Sequence, residues 1–296
     1  MKPLIIGVNV NEGTGRDPNP HVPFTPKEIA EAARDCERAG ASLMHYHGRT
    51  PDGQADHTAA TYADIARETH RTSSLLLAPS MANVPGHGVE ERLSNIAPNQ
   101  ADPETAADLL PVDMGCANMD LFDPEAGDYA SDDRVFVNDV RTQRAFLERA
   151  PRLGLRPYLA SFNLSWTRAI LAHERAGRLA RPLIVAFVLG GEEFVAAHPT
   201  TAAGVRAHLD ALPAGLELEW LVSSHRGDVL DVADEVIAAG GHLVVGIGDH
   251  PHTALGHPTT ADLVARVADL GRRYGRRPAT TGEARRILGV PEHAHR

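Results

Sequence analysis

Residues 41–50 read A-S-L-M-H-Y-H-G-R-T. Gly40 stands before them, and before it residues 26–39 carry apolar positions at helical spacing. A helix, a terminating glycine and a short apolar run together make the joint of a strand–helix unit. Taken as a strand, the run alternates its side chains, so His45 and His47 share one face and Tyr46 takes the other. Two imidazoles one pleat apart, about 6–7 Å between Cα atoms, can hold one divalent metal. The bland alternative is a solvated face carrying two of the chain's 16 histidines, and the rest of the sequence decides between the two.

Outward from this stretch the same unit repeats. Apolar runs rich in Val, Ile and Leu fall at 4–10, 42–48, 74–80, 114–119, 157–162, 183–190, 216–223 and 242–248. Helical patterns lie between them at 26–39, 58–71, 89–96, 139–152, 166–178, 202–212, 229–239 and 260–274. Strands alternating with helices pair in parallel through crossovers. Thr25-Pro26-Lys27-Glu28 is a capping box with proline at the first helical position, and Thr280-Thr281-Gly282-Glu283 repeats its spacing before an extra helix at 284–288. Eight such units in 296 residues predict a single-domain (β/α)8 TIM barrel over residues 1–290, with a doubly wound open sheet as the alternative. Residues 291–296, which contain a second H-x-H, are expected to be a flexible tail and at most an adventitious metal binder.

Composition narrows the function. With 43% hydrophobic and 23% charged residues the chain has the make-up of a soluble globular protein. A formal net charge of −10 argues against a nucleic-acid partner. No apolar run approaches the roughly 18 residues of a membrane span, and Met1-Lys2-Pro3 leads into a strand rather than a signal peptide. The two cysteines, Cys36 and Cys116, form no C-x-x-C motif and are expected to be reduced thiols of a cytoplasmic protein.

A parallel barrel builds its active site at the C-terminal ends of its strands. Strand one ends in Asn9-Val10-Asn11-Glu12, strand two in His45-Tyr46-His47, strand three in Ser80-Met81-Ala82-Asn83 and strand eight in Gly246-Ile247-Gly248-Asp249-His250. On closure strand one lies between strands eight and two, so Glu12, His45, His47 and Asp249 are expected to converge on one side of the mouth. Strand three brings Ser80 and Asn83 to the same mouth as candidate contacts. Arg226, in Ser223-Ser224-His225-Arg226 at the end of strand seven, is a candidate anion clamp. The glycine-rich run Gly190-Gly191-Glu192-Glu193 lacks the spacing of a phosphate-binding fingerprint and reads as a mobile loop.

With these residues in place the chain resembles the β-keto acid cleavage enzymes, typified by 3-keto-5-aminohexanoate cleavage enzyme. The resemblance is carried by Asn11-Glu12-Gly13-Thr14, by Ala39-Gly40-Ala41-Ser42 followed by His45-Tyr46-His47-Gly48-Arg49, by Gly240-Gly241-His242 and by the closing A-T-T-G-E-A-R-R-I-L-G of residues 279–289. It implies a zinc enzyme that exchanges acyl groups between a β-keto acid and acetyl-CoA, giving acetoacetate and a new CoA thioester. It also implies His45 and His47 as zinc ligands, Ser80 and Glu12 near the substrate, Asp249 as general base, and a homo-oligomer, dimer or tetramer.

The departures are specific. Where the family reads G-L-E-D-N, with glutamate as third zinc ligand, this chain has Gly246-Ile247-Gly248-Asp249-His250; Val244 replaces an arginine and Thr50 an aspartate. The third ligand is open among Asp249, His250, Glu12 and water, and the missing cation among Arg226 and Arg168. Two other functions stay in play: a metal-dependent barrel aldolase or hydrolase that does not use CoA, and a non-catalytic paralogue that binds a keto acid.

Overall fold

The computed structural model describes residues 1–292. Among them, eight strands form one parallel sheet: β1 Ile6–Asn9, β2 Leu43–Tyr46, β3 Leu76–Pro79, β4 Leu109–Asp113, β5 Arg156–Ser161, β6 Leu183–Gly190, β7 Leu218–His225 and β8 His242–Val245. Their order is β3-β2-β1-β8-β7-β6-β5-β4, all neighbours parallel. Helices α1 Pro26–Ala39, α2 Ala59–Thr72, α3 Val89–Arg92, α4 Val140–Arg152, α5 Leu164–Arg175, α6 Ala202–Leu209, α7 Ala233–Ala238 and α8 Thr260–Arg273 follow the strands in turn. This is the α/β barrel that the strand–helix alternation predicts.

The ring closes between β3 and β4 at one residue. The Asp108 N–H donates to the Leu77 carbonyl at 3.0 Å, and the Leu77 N–H donates back to the Asp108 carboxylate at 2.9 Å. Asp108 is fully buried, and its other oxygen accepts from Arg285 Nη2 at 2.7 Å. That arginine comes from α9, Thr281–Leu288, which the Thr280–Glu283 capping box starts three residues earlier than the sequence pattern suggests. Ala284, Leu288 and the following Val290 pack against Ile5, Leu43, Leu76, Leu109, Ile184, Leu221 and Val244, the inward row at the base of the strands. At about 1.5–3 kcal/mol for each large apolar side chain buried, this plug contributes substantially to closure. Outward strand residues such as Leu4, Ile6, Val8, Met44 and Leu77 form the second, larger core with the helices.

The fourth strand departs from expectation. It runs over Leu109–Asp113, and the expected strand at 114–119 is a loop that ends in the two-residue strand Ala117–Asn118. Pro111 is the reason: a proline inside an apolar run speaks against a strand because it removes a ladder donor. Here it is tolerated because β4 is paired along its length only with β5. Two short antiparallel pairs, Ala117–Asn118 with Val135–Phe136 and Phe122–Asp123 with Asp128–Tyr129, fill the long β4–α4 connection. The expected helix at 89–96 is helical only over Val89–Arg92, with a 3-10 turn following at Ala97–Ala101, and the one at 229–239 is divided between a 3-10 turn and the helix Ala233–Ala238. The expected tail falls mostly on residues 293–296, outside the described residues.

Candidate metal centre and active site

Inward and outward positions alternate along each strand, so the lower apolar residues fix the direction of those above them. Leu43 points inward, hence His45 does too, and Leu109 sends Asp113 inward by the same count. The barrel therefore changes from apolar at its base to polar at the C-terminal mouth.

Three donors meet there. His45 Nε2 and His47 Nε2 are 3.1 Å apart, and Glu12 Oε2 lies 2.9 Å from His47 Nε2 and 3.2 Å from His45 Nε2. Each is held from behind. His45 Nδ1 is 2.7 Å from the Ala78 carbonyl, which can only accept, so Nδ1 carries the proton and the neutral form of His45 would turn a lone pair toward the other two groups. Asn11 accepts from the His47 N–H at 2.9 Å and donates to the His47 carbonyl at 2.9 Å, tying the β1 loop to the end of β2. Arg49 donates to the carbonyls of Asn11 and Glu12.

Gly248 brings Glu12 there. A Cβ at 248 would lie 2.4 Å from the Glu12 nitrogen and 2.5 Å from that of Asn11. The Gly248 carbonyl accepts from the N–H groups of Gly13 and Thr14 and from the Thr14 hydroxyl. The β1 loop thus closes over strand eight only because position 248 has no side chain.

Electrostatics follow from burial. Burial pushes the Glu12 carboxyl up, but His47 and His45 overrule it and hold it well below the usual range. Burial pushes His45 down, and its contacts with Glu12 reverse this and raise it. Asp249, buried at the mouth, is pushed up by desolvation and by the Glu12 charge, against His225 and the Asn9 amide, whose Nδ2 donates to Asp249 Oδ2 at 2.5 Å. Asp113 rises to about 6, chiefly by burial, with Arg92 opposing and Glu12 assisting. A carboxyl that titrates near neutrality beside a gathered donor set suits proton transfer.

The remaining expected contacts sit as follows. The Ser80 hydroxyl is buried and 2.6 Å from the Tyr62 hydroxyl. Asn83 is exposed, and its carbonyl oxygen accepts from Arg92 Nε at 2.7 Å. Arg226 is exposed, at positive φ, and 3.4 Å from Glu193. Arg168 is exposed on α5. Of the three candidate side chains for the third donor, Glu12 alone is grouped with His45 and His47; His250 belongs to a separate group with Asp228 and His252. Sequence reasoning missed Asp113 and the buried Arg92 behind it, which donates to Asn138 Oδ1 at 2.6 Å. A strand ending at 113 would have exposed the first, but the expected strand began beyond it.

The chain is similar to proteins of known activity along nearly its whole length. It is 28% identical over 280 residues to the 3-keto-5-aminohexanoate cleavage enzyme of Acetoanaerobium sticklandii, covering 93% of each chain. It is 26% identical over 298 residues to the 3-oxoadipate:acetyl-CoA acetyltransferase of Cupriavidus necator, covering 98% of this chain and 96% of that one. Among solved structures it superposes on the ternary complex of ObcA with C4-CoA adduct and oxalate with a TM-score of 0.73 at 16% identity, over 92% of this chain and 68% of that one. Residues 3–290 match the sequence model of the beta-keto acid cleavage enzymes, and the chain belongs to that family.

Proposed function

We propose that this chain is a zinc-dependent β-keto acid cleavage enzyme, exchanging acyl groups between a β-keto acid and acetyl-CoA to give acetoacetate and a new acyl-CoA. The observation that carries the reading is the gathering of Glu12, His45 and His47 beside the buried Asp249 at the C-terminal mouth of the barrel. Their mutual spacing of 2.9–3.2 Å is close to the edge of a tetrahedral set with bonds of about 2.0–2.1 Å. The back-side hydrogen bond from His45 to Ala78 is the kind that orients a ligating imidazole. His45, His47 and Glu12 would hold the ion, with Glu12 in the place that glutamate takes on strand eight elsewhere in the family. A zinc ion there supplies Lewis-acid polarisation of the keto oxygen.

The chain's own residues do the rest. Asp249, raised by its buried setting, takes the proton that sets up attack and carbon–carbon cleavage. Asn9 holds one of its oxygens and so orients the other. In this reading Asp113 and the Ser80 hydroxyl, which lies 2.6 Å from the Tyr62 hydroxyl, would orient the substrate, and the exposed Asn83 and Arg226 would contact it from the rim. The likeness to the 3-oxoadipate:acetyl-CoA acetyltransferase named above supports acetyl-CoA as co-substrate. The homo-oligomeric state implied by the resemblance belongs to the same proposal, and a solution mass near 31.8 kDa would remove it.

A panel of β-keto acids incubated with acetyl-CoA tests the function, with acetoacetate and new CoA thioesters followed by mass spectrometry. Both products, formed only with acetyl-CoA and only with metal present, are expected. Cleavage without CoA would make the chain an aldolase or hydrolase, and no product from any acid would make it a binding paralogue.

A further inference from the structure

We propose that Asp228, His250 and His252 form a second divalent-cation site, built from the loops after β7 and β8 and separate from the His45–His47–Glu12 group. Their ligand atoms, one carboxylate oxygen and one ring nitrogen from each histidine, lie within 4.8 Å of one another. The rings of His250 and His252 stand edge to face with centroids 4.7 Å apart. His252 Nδ1 is 3.4 Å from Asp228 Oδ2, a spacing close to the edge of a tetrahedral ligand set.

The independent sign of a missing partner is His252 itself. Its side chain is 1% exposed, and Nδ1 has no hydrogen-bond partner, because the contact with Asp228 lies outside hydrogen-bond geometry. A buried imidazole nitrogen left unsatisfied is costly, and native structures answer nearly every such atom. The nitrogen lies 3.4 Å from Asp228 Oδ2, while Oδ1 accepts from the Leu230 N–H at 2.9 Å. A cation between them satisfies both.

The donor set selects the ligand. Two imidazoles and one carboxylate suit Zn2+ or a neighbouring first-row divalent metal rather than Mg2+ or Ca2+, which take oxygen. The loop is stitched elsewhere by Asn19, which donates to the carbonyls of Pro251 and Pro258, and by the Arg226 N–H, which donates to the Asp249 carbonyl. The ion adds a tie between the β7 and β8 loops directly beside Asp249, and it stands whether or not the acyl-transfer reading holds.

The test is zinc stoichiometry of the full-length protein, stripped with chelator and equilibrated at a buffered free zinc concentration that leaves weak surface sites empty. An H293Q/H295Q background removes the second H-x-H from the count. Two equivalents are expected, one remaining in H45A/H47A and one remaining in H250A or in D228N. Cobalt(II) loaded into H45A/H47A should show visible d–d absorption that H250A/H45A/H47A lacks. The half-exposed His250 and Asp228 carry the substitutions because a change at buried His252 risks the fold, and circular dichroism checks each variant. An H45A/H47A protein that binds no zinc would overturn the proposal, as would unchanged stoichiometry in both H250A and D228N.

Discussion

Asp108 and Leu77 are joined twice across the seam of the barrel, backbone to backbone at 3.0 Å and Leu77 N–H to the Asp108 carboxylate at 2.9 Å. The same carboxylate receives Arg285 from α9. One side chain thus replaces a ladder rung between β3 and β4 and anchors the helix that plugs the base. Asp108→Ala should leave the Leu77 N–H and the Arg285 guanidinium without this acceptor. A loss of about 3–5 kcal/mol is expected, measured as a lower denaturant midpoint. A loss below about 1 kcal/mol would mean that the base closes without this link.

Glu12→Gln keeps the size of the side chain and removes its charge. If Glu12 completes the donor set with His45 and His47, zinc affinity should fall by at least roughly 10–100-fold in chelator competition. Unchanged affinity would pass the role of third ligand to Asp249.

Asp249→Asn separates base from ligand. Turnover should drop by roughly 100-fold or more while zinc stays bound. Zinc lost together with activity would make Asp249 a ligand, and an unaffected enzyme would remove it from the mechanism.

His208 predicts how stability depends on pH. It is fully buried, stacked on Phe187 with its Nδ1 2.8 Å from the Thr167 hydroxyl. Burial, with His198 beside it, pushes its pKa down to about 3. Below its unfolded value near 6.5 the unfolded chain takes up a proton that the folded chain refuses. Stability from this group is therefore full above pH 6.5 and falls as pH drops toward 3, at up to about 1.4 kcal/mol for each unit. Denaturation of wild type and His208→Gln across pH 4–7 should show the slope reduced in the variant. Equal slopes would assign acid sensitivity to other groups.

Much of this was legible in the chain itself. The alternation of short apolar runs with amphipathic helices, the T-x-x-E boxes at Thr25 and Thr280, and the two histidines on one strand face are local signals. Each depends on residues within a turn or a pleat of one another, and each reappears in the structure. Asp113 stayed hidden because the fourth strand was expected at 114–119, beyond it, whereas the true strand runs over Leu109–Asp113 and carries Pro111. Only closure of the sheet shows that the edge facing β3 tolerates it.

The site was decided by closure as well. Sequence placed Glu12, Asp249 and His250 as rivals for one role, since all three stand just beyond strand ends. Which of them reaches the histidines depends on how closely the β1 loop lies against strand eight, and that is set by Gly248 having no side chain and by its carbonyl holding Gly13 and Thr14. His250 turns instead to Asp228, 22 residues earlier in the chain, and to a histidine held at positive φ. Local periodicity carries the elements because their hydrogen bonds are short-range. The meeting of loops is fixed by contacts between distant segments, and these exist only once the barrel has closed.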